Sequence, residues 1–218
     1  MTTPAHGPWD TVLLDLDGTL SEAGPAITSA IREALAHCGH PPLAEEALHA
    51  MVGPPLEVSF AALSGFDADL VREGVRVYRE RYDLLSSPLY PGVVPALERL
   101  RAAGLVLALA TSKPEPFALQ IVEGKGLASL LDVVCGSGID GTLPTKADVV
   151  GEALRRLGNP PRAVMVGDRL HDVEGAAAHG LPCIGAAWGY GGDAELREAG
   201  AVAVARDLAE MVDLVLGG

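Results

Sequence analysis

Lysine, cysteine and aromatic residues are all scarce in this sequence, and each shortage narrows what the protein can be. Basic residues number 16 against 29 acidic ones, giving a formal charge of −13 at pH 7. Nucleic-acid binding needs a basic face that displaces phosphate counterions, so that class is excluded. The same charge repels small phosphate esters at long range. A phosphate site in this chain therefore has to build its own local positive charge, from a metal, a lysine or backbone N–H groups. The three cysteines, Cys38, Cys135 and Cys183, are odd in number and show no C-x-x-C spacing. Reduced, mostly buried thiols are expected rather than a disulfide framework or a zinc site. No apolar run approaches a membrane span. The opening Met1-Thr2-Thr3-Pro4 lacks the basic-then-apolar pattern of a secretion signal. A cytoplasmic protein with no membrane partner is expected.

What is present is a long chain with a large apolar share, 218 residues of which 49% are hydrophobic. That suffices for one large α/β domain or a core with a smaller insert. The run Thr11-Val12-Leu13-Leu14-Asp15-Leu16 reads as a buried strand stopping at Asp17-Gly18. From about 21 to 88 four helices are expected, near 25–38, 43–51, 55–64 and 67–86, with no strand among them. After Tyr90-Pro91-Gly92, apolar strands alternate with helices. Strands are expected at 105–110, 131–135, 163–166 and 182–185, helices near 93–103, 114–126, 146–157 and 171–179, and a last strand and helix after 200. This alternation predicts an α/β fold, a parallel sheet flanked by helices on both faces. The helical block then interrupts it after strand one. The expected division is a core of 1–20 and 89–218 with an all-α insert of 21–88.

Acidic and hydroxyl residues sit at the carboxyl ends of these strands, the edge where open parallel sheets bind ligands. Asp15 and Asp17 are two carboxylates at i and i+2, pointing to the same side. Asp17-Gly18 also suits a plain turn, but a turn does not explain an acid inside the apolar run at Asp15. Thr111-Ser112-Lys113-Pro114 ends the next strand, where a hydroxyl serves equally as a helix cap or a phosphate contact. Thr145 and Asp148 are spaced as a capping box. Lys146 between them opposes the helix dipole and needs another reason to be there. Lysine is rare, three residues against thirteen arginines. Asp168 ends the strand Val164-Met165-Val166-Gly167, and Asp172 follows one helical turn later; a cap with an acidic first turn is the alternative. Together the carboxylates suggest an all-oxygen site for a hard cation, with Mg²⁺ a good match.

In order, Asp15-Leu16-Asp17-Gly18-Thr19, Thr111, Lys146 and Gly167-Asp168 through Asp172 resemble the four signature motifs of the haloacid dehalogenase (HAD) superfamily. Tyr90-Pro91-Gly92-Val93 and Gly53-Pro54-Pro55-Leu56 are similar to its phosphoglycolate-phosphatase-like branch, in which a helical C1 cap follows motif one. Gly138-Ile139-Asp140-Gly141-Thr142 is similar to a 5′-nucleotidase-like subgroup. Lys146 is followed by Ala147 where that motif commonly has proline. The resemblance covers the chain from about residue 10.

It implies a Rossmann-like core and a Mg²⁺-dependent phosphatase acting on a small phosphorylated metabolite through an aspartyl-phosphate. Asp15 would be the nucleophile and Asp17 the general acid and base. Thr111 and Lys146 would complete the catalytic set, with Gly18, Thr111, Ser112 and Lys146 binding phosphate. Asp15, Asp17 through its backbone carbonyl, and Asp168 would hold the metal, with Asp172 behind them. Asp17 argues against a dehalogenase, and the lysine-free stretch 21–90 against a phosphonatase. A phosphosugar mutase and a phospho-accepting receiver-type domain remain as alternatives. The chain is expected to be a monomer or a homodimer. Arg72, Arg76, Arg79 and Arg81 are expected to form a solvated helix face, from which one can reach a substrate anion. His171 is expected to be exposed. Trp188 is read as packing in the core, with the pocket mouth as the alternative.

Overall fold

The computed structural model describes residues 8–217. The reading of the first residues as carrying no secretion signal falls outside the described part. Six parallel strands form one sheet in the order β3-β2-β1-β4-β5-β6. They are β1 Thr11–Leu14, β2 Val106–Pro114, β3 Val133–Ser137, β4 Ala163–Gly167, β5 Cys183–Ala186 and β6 Ala203–Ala205. The central strand β1 is paired on both sides, Leu14 with Leu109 of β2 and with Val166 of β4. Side chains alternate across a strand, so each face of the sheet has its own core. Val12 and Leu14 pack on one face with Leu107, Val164 and helices α5 (Val93–Ala102), α6 (Glu115–Gly124) and α10 (Leu208–Leu216). Leu13 packs on the other with Ala108, Met165 and helices α7 (Lys146–Arg156), α8 (Leu170–Ala177) and α9 (Gly192–Ala199). This is the expected α/β arrangement.

Between β1 and α5 lie four helices, α1 (Gly24–His37), α2 (Glu45–Ala50), α3 (Leu56–Ala61) and α4 (Ala68–Arg81). They share a separate core around Ile31, Leu48, Phe60 and Tyr78. Asp67 caps α4 by accepting the N–H groups of Asp69 and Leu70 at 3.0 and 2.9 Å, satisfying donors that a helix start leaves free.

Four elements differ from the sequence-based expectation. Helix α4 stops at Arg81 rather than near 86, because Tyr82 turns extended at ψ 110° and Asp83 organises a turn by accepting the Leu85 N–H. Strand β2 runs on to Pro114 instead of ending at Ala110, with an irregular register after Thr111. Strand β1 ends at Leu14, although the Asp15 N–H still donates to Val166 O at 3.0 Å. Helix α9 has no counterpart among the expected elements. Its one buried side chain is Leu196, so it carries too little apolar periodicity to announce itself.

Candidate active site

The carboxyl ends of β1, β2 and β4 bring the acidic residues together. Asp15 is 6% exposed and Asp168 fully buried. One carboxylate oxygen each from Asp15, Asp168 and Asp172 lie within 4.8 Å of one another. Lys146, on the first turn of α7, places Nζ at 2.6 Å from Asp15 Oδ1 and at 2.6 Å from Asp172 Oδ1. This accounts for a cation at a helix start. Two carboxylates at hydrogen-bond distance outweigh the opposing dipole, worth about 0.3–1 kcal/mol. Thr145 and Asp148 form the expected capping box and take no part in the cluster.

The electrostatics show what the cluster lacks. Burial, together with the charges of Asp172 and Asp15, holds the Asp168 carboxyl well above the ordinary range. Burial pushes Asp172 up to about 6, against the pull of Lys146. Burial works to lower the Lys146 ammonium, but Asp15 and Asp172 outweigh it and keep it above the usual lysine value. Asp168 is held by the Thr19 hydroxyl at 3.3 Å and the Tyr190 N–H at 2.8 Å. With all groups ionised, three carboxylates against one ammonium leave a charge of −2. Like charges so close and so buried are costly unless a cation or a shared proton compensates. An all-oxygen donor set carrying that charge fits a hard divalent ion. Asp172 contributes to this oxygen cluster, with its carboxylate engaged by Lys146 Nζ at 2.6 Å and the Arg169 N–H at 3.0 Å.

Asp17 makes a second ion pair. Its Oδ2 lies 2.9 Å from Lys113 Nζ, while Oδ1 is buried with no hydrogen-bond partner among the described residues. Burial raises its pKa, with Lys113 working against the rise. Lys113 also contacts the Tyr82 hydroxyl at 3.3 Å and sits 4.6 Å from the centre of the Tyr82 ring. Lys113 and Tyr82 were not singled out as site residues by the sequence reading. The scarcity of lysine was the available signal, since two of the three lysines make the three buried lysine ion pairs found among the described residues.

Asp15, Asp17, Thr111 and Ser112 open into a cavity of about 580 Å³, within the usual range for small-molecule sites. Lys146, Asp168 and Asp172 are buried and are not part of its lining. Gly18 is different again. Its N–H is taken up by Ser21 O at 2.8 Å. At φ +93° an added Cβ would fall on the Asp168 carboxylate, so this glycine serves close approach. The other cavity wall comes from the helical block: Pro54 and Leu56 from the loop before and start of α3, and Arg72, Tyr78 and Arg79 from α4.

Arg169 was also missed. It donates to Glu195 at 2.8 Å and to the Val52 carbonyl in the helical block, tying that block to the start of α8. Trp188 packs against the sheet core and donates to Thr19 O at 3.1 Å, and it does not line the cavity. His171 is half-buried rather than exposed.

An open parallel sheet with a carboxylate cluster at its carboxyl edge and a helical block over it defines a hydrolase class that sequence comparison identifies directly. Residues 9–180 match the family model described as haloacid dehalogenase-like hydrolase, and the chain belongs to that family. It is 41% identical over 196 residues to the tyrosine-protein kinase PtkA of Mycobacterium tuberculosis, covering 87% of this chain and 66% of that protein. The chain thus spans a little under two thirds of that relative. It is 37% identical over 192 residues to a 5′-nucleotidase of Pseudomonas aeruginosa, covering 85% and 86% of the two chains. Among solved structures it superposes on a predicted phosphatase from Clostridium acetobutylicum with a TM-score of 0.90 and 35% identity, over 95% and 98% of the chains. No helix among the described residues is long and apolar enough to cross a membrane.

Proposed function

We propose that this hydrolase is a Mg²⁺-dependent phosphomonoesterase for a small phosphorylated metabolite, acting through a phosphoryl group carried on Asp15. The observation that carries the reading is the Asp15–Lys146–Asp172 contact beside Asp168, opening through Asp15 into the cavity. Mg²⁺ would be held by Asp15, Asp168 and the Asp17 carbonyl, with Asp172 beside them, and would neutralise phosphoryl oxygens. Asp15 attacks phosphorus and the bond to the leaving oxygen breaks. Asp17, whose proton is favoured by burial, protonates that oxygen and then accepts a proton from the water that cleaves the acyl phosphate. Lys146 steadies the Asp15 carboxylate, and Thr111 and Ser112 position the phosphoryl oxygens. In this scheme residues 21–88 act as a cap that shapes the space for the leaving group and excludes water.

The leaving groups that fit this reading are glycolate-type acids and nucleosides, the latter in keeping with the similarity to a 5′-nucleotidase. The test is phosphate release from phosphoglycolate, nucleoside 5′-monophosphates, sugar phosphates and phosphotyrosine. Turnover should stop in Asp15→Asn and stop reversibly with EDTA. Full activity in Asp15→Asn would overturn the mechanism. Conversion of a sugar 1-phosphate to a 6-phosphate without phosphate release would replace the hydrolase reading with a mutase.

A further inference from the structure

We propose that Arg79, with Arg72 beyond it, forms an anion subsite in the cavity wall that selects phosphomonoesters bearing a second anionic group on the leaving group. The proposal rests on the phosphomonoesterase reading and specifies its substrate class.

Of the four arginines of α4, Arg72 and Arg79 reach the cavity that holds Asp15 and Asp17. Arg72 pairs with Asp69, Arg76 with Glu73 and Glu80, and Arg81 with Glu33, in exposed pairs. Arg72 and Arg79 are seven residues apart, which returns them to one stripe of the helix. Of the four, Arg79 alone has a buried donor without a partner among the described residues. One terminal nitrogen meets Glu57 Oε1 at 3.0 Å. The unpartnered donor is its Nε. A donor withheld from water without an acceptor is unfavourable, and a turn of the Arg79 side chain towards an incoming anion removes that deficit. The guanidinium edge is a planar fork matched to the two oxygens of a carboxylate or phosphate.

The position along the wall follows from the helix. Lys113 joins Asp17 at 2.9 Å to the Tyr82 hydroxyl at 3.3 Å, which anchors the end of α4 at the floor of the cavity. Arg79 lies three residues before Tyr82, about 4.5 Å along the helix axis, and Arg72 about 10 Å further. A phosphoryl group on Asp15 and a second anion at Arg79 would share this one cavity. Glu57 is 55% exposed and holds one end of the fork. It competes with the ligand anion for Arg79 and can turn into solvent when that anion binds.

The test uses matched esters that differ only in the second anion: phenyl phosphate against 4-carboxyphenyl phosphate, and a nucleoside 5′-monophosphate against the 3′,5′-bisphosphate. The first pair reads a carboxylate and the second a phosphate. In the wild type, kcat/KM should favour the member with the second anion in at least one pair. Arg79→Met should lower that ratio about tenfold or more, the range of a charged hydrogen-bonded contact. Glu57→Gln should raise it, and Arg76→Met should leave it unchanged. A ratio unaffected by Arg79→Met, or a wild type indifferent to the second anion in both pairs, overturns the subsite. Equilibrium binding of the same esters to the Asp15→Asn protein separates the two proposals. An Arg79-dependent preference in binding with no turnover by the wild type keeps the subsite and rejects the phosphatase; turnover without that preference does the reverse.

Discussion

Replacing Lys146 with methionine keeps most of the apolar stem and removes the charge from between Asp15 and Asp172. Both ion pairs are nearly solvent-free, with side-chain exposures of 5% for Lys146, 8% for Asp15 and 3% for Asp172. Taking one partner from such a pair costs about 3–5 kcal/mol, because the remaining charge is left buried and unpaired. For a chain of this size each kcal/mol corresponds to about 2–4 °C, so the metal-free protein should melt about 6–20 °C lower. The cluster charge goes from −2 to −3 in Lys146→Met and returns to −2 in Lys146→Met/Asp172→Asn. The double variant should therefore recover at least half of the loss. The amide oxygen that Asp172→Asn introduces can still accept the Arg169 N–H, which the Asp172 carboxylate accepts at 3.0 Å. The pH dependence has a definite sign. Without Lys146 the carboxylates of the folded state bind protons more tightly than before, so the variant's deficit shrinks as pH falls from 8 towards 5. Thermal melts by circular dichroism in EDTA at the two pH values measure all of this. A double variant no more stable than Lys146→Met, or a deficit that grows on acidification, would refute the charge argument.

Other perturbations follow from the same geometry. Gly18→Ala sets a side chain in the left-handed region, at about 1–2 kcal/mol, and drives its Cβ into Asp168. It should lower the melting temperature and weaken the stabilisation by added Mg²⁺, read from melts with and without the ion. Phe60→Ala empties the fully buried centre of the helical block and should cost about 3–5 kcal/mol, checked by chemical denaturation. Arg169→Ala cuts the tie to the Val52 carbonyl; hydrogen exchange should quicken at residues 51–58 while the protection of β1 and β4 is retained.

The parts of the fold with strong local signatures were readable from residue order. Apolar runs bounded by Gly and Pro located five of the six strands, though not the ends of β1 and β2, and the spacing of Thr145 and Asp148 announced the start of α7. Local chemistry failed where the deciding contact is distant. The turn at Asp83 that follows α4 is local, but the Tyr82 side chain at its end is held by Lys113, 31 residues away. Nothing near Thr111 extends β2 to Pro114; Ser137 of β3 does. Helix α9 is supported from outside through Glu195, which accepts from Arg169 and Leu170.

For the candidate site the division is similar. Residue order alone determined the inventory: acids at strand ends, few lysines, a glycine after Asp17. Only the tertiary structure decided the pairing. Lys146 meets Asp15 across 131 positions and Thr19 meets Asp168 across 149, while Lys113 goes to Asp17 and Arg79 turns inward as Arg76 turns out. Periodicity along a chain reports which face a residue takes. Which charge neutralises which depends on strand order and burial, and these exist only once the sheet has formed.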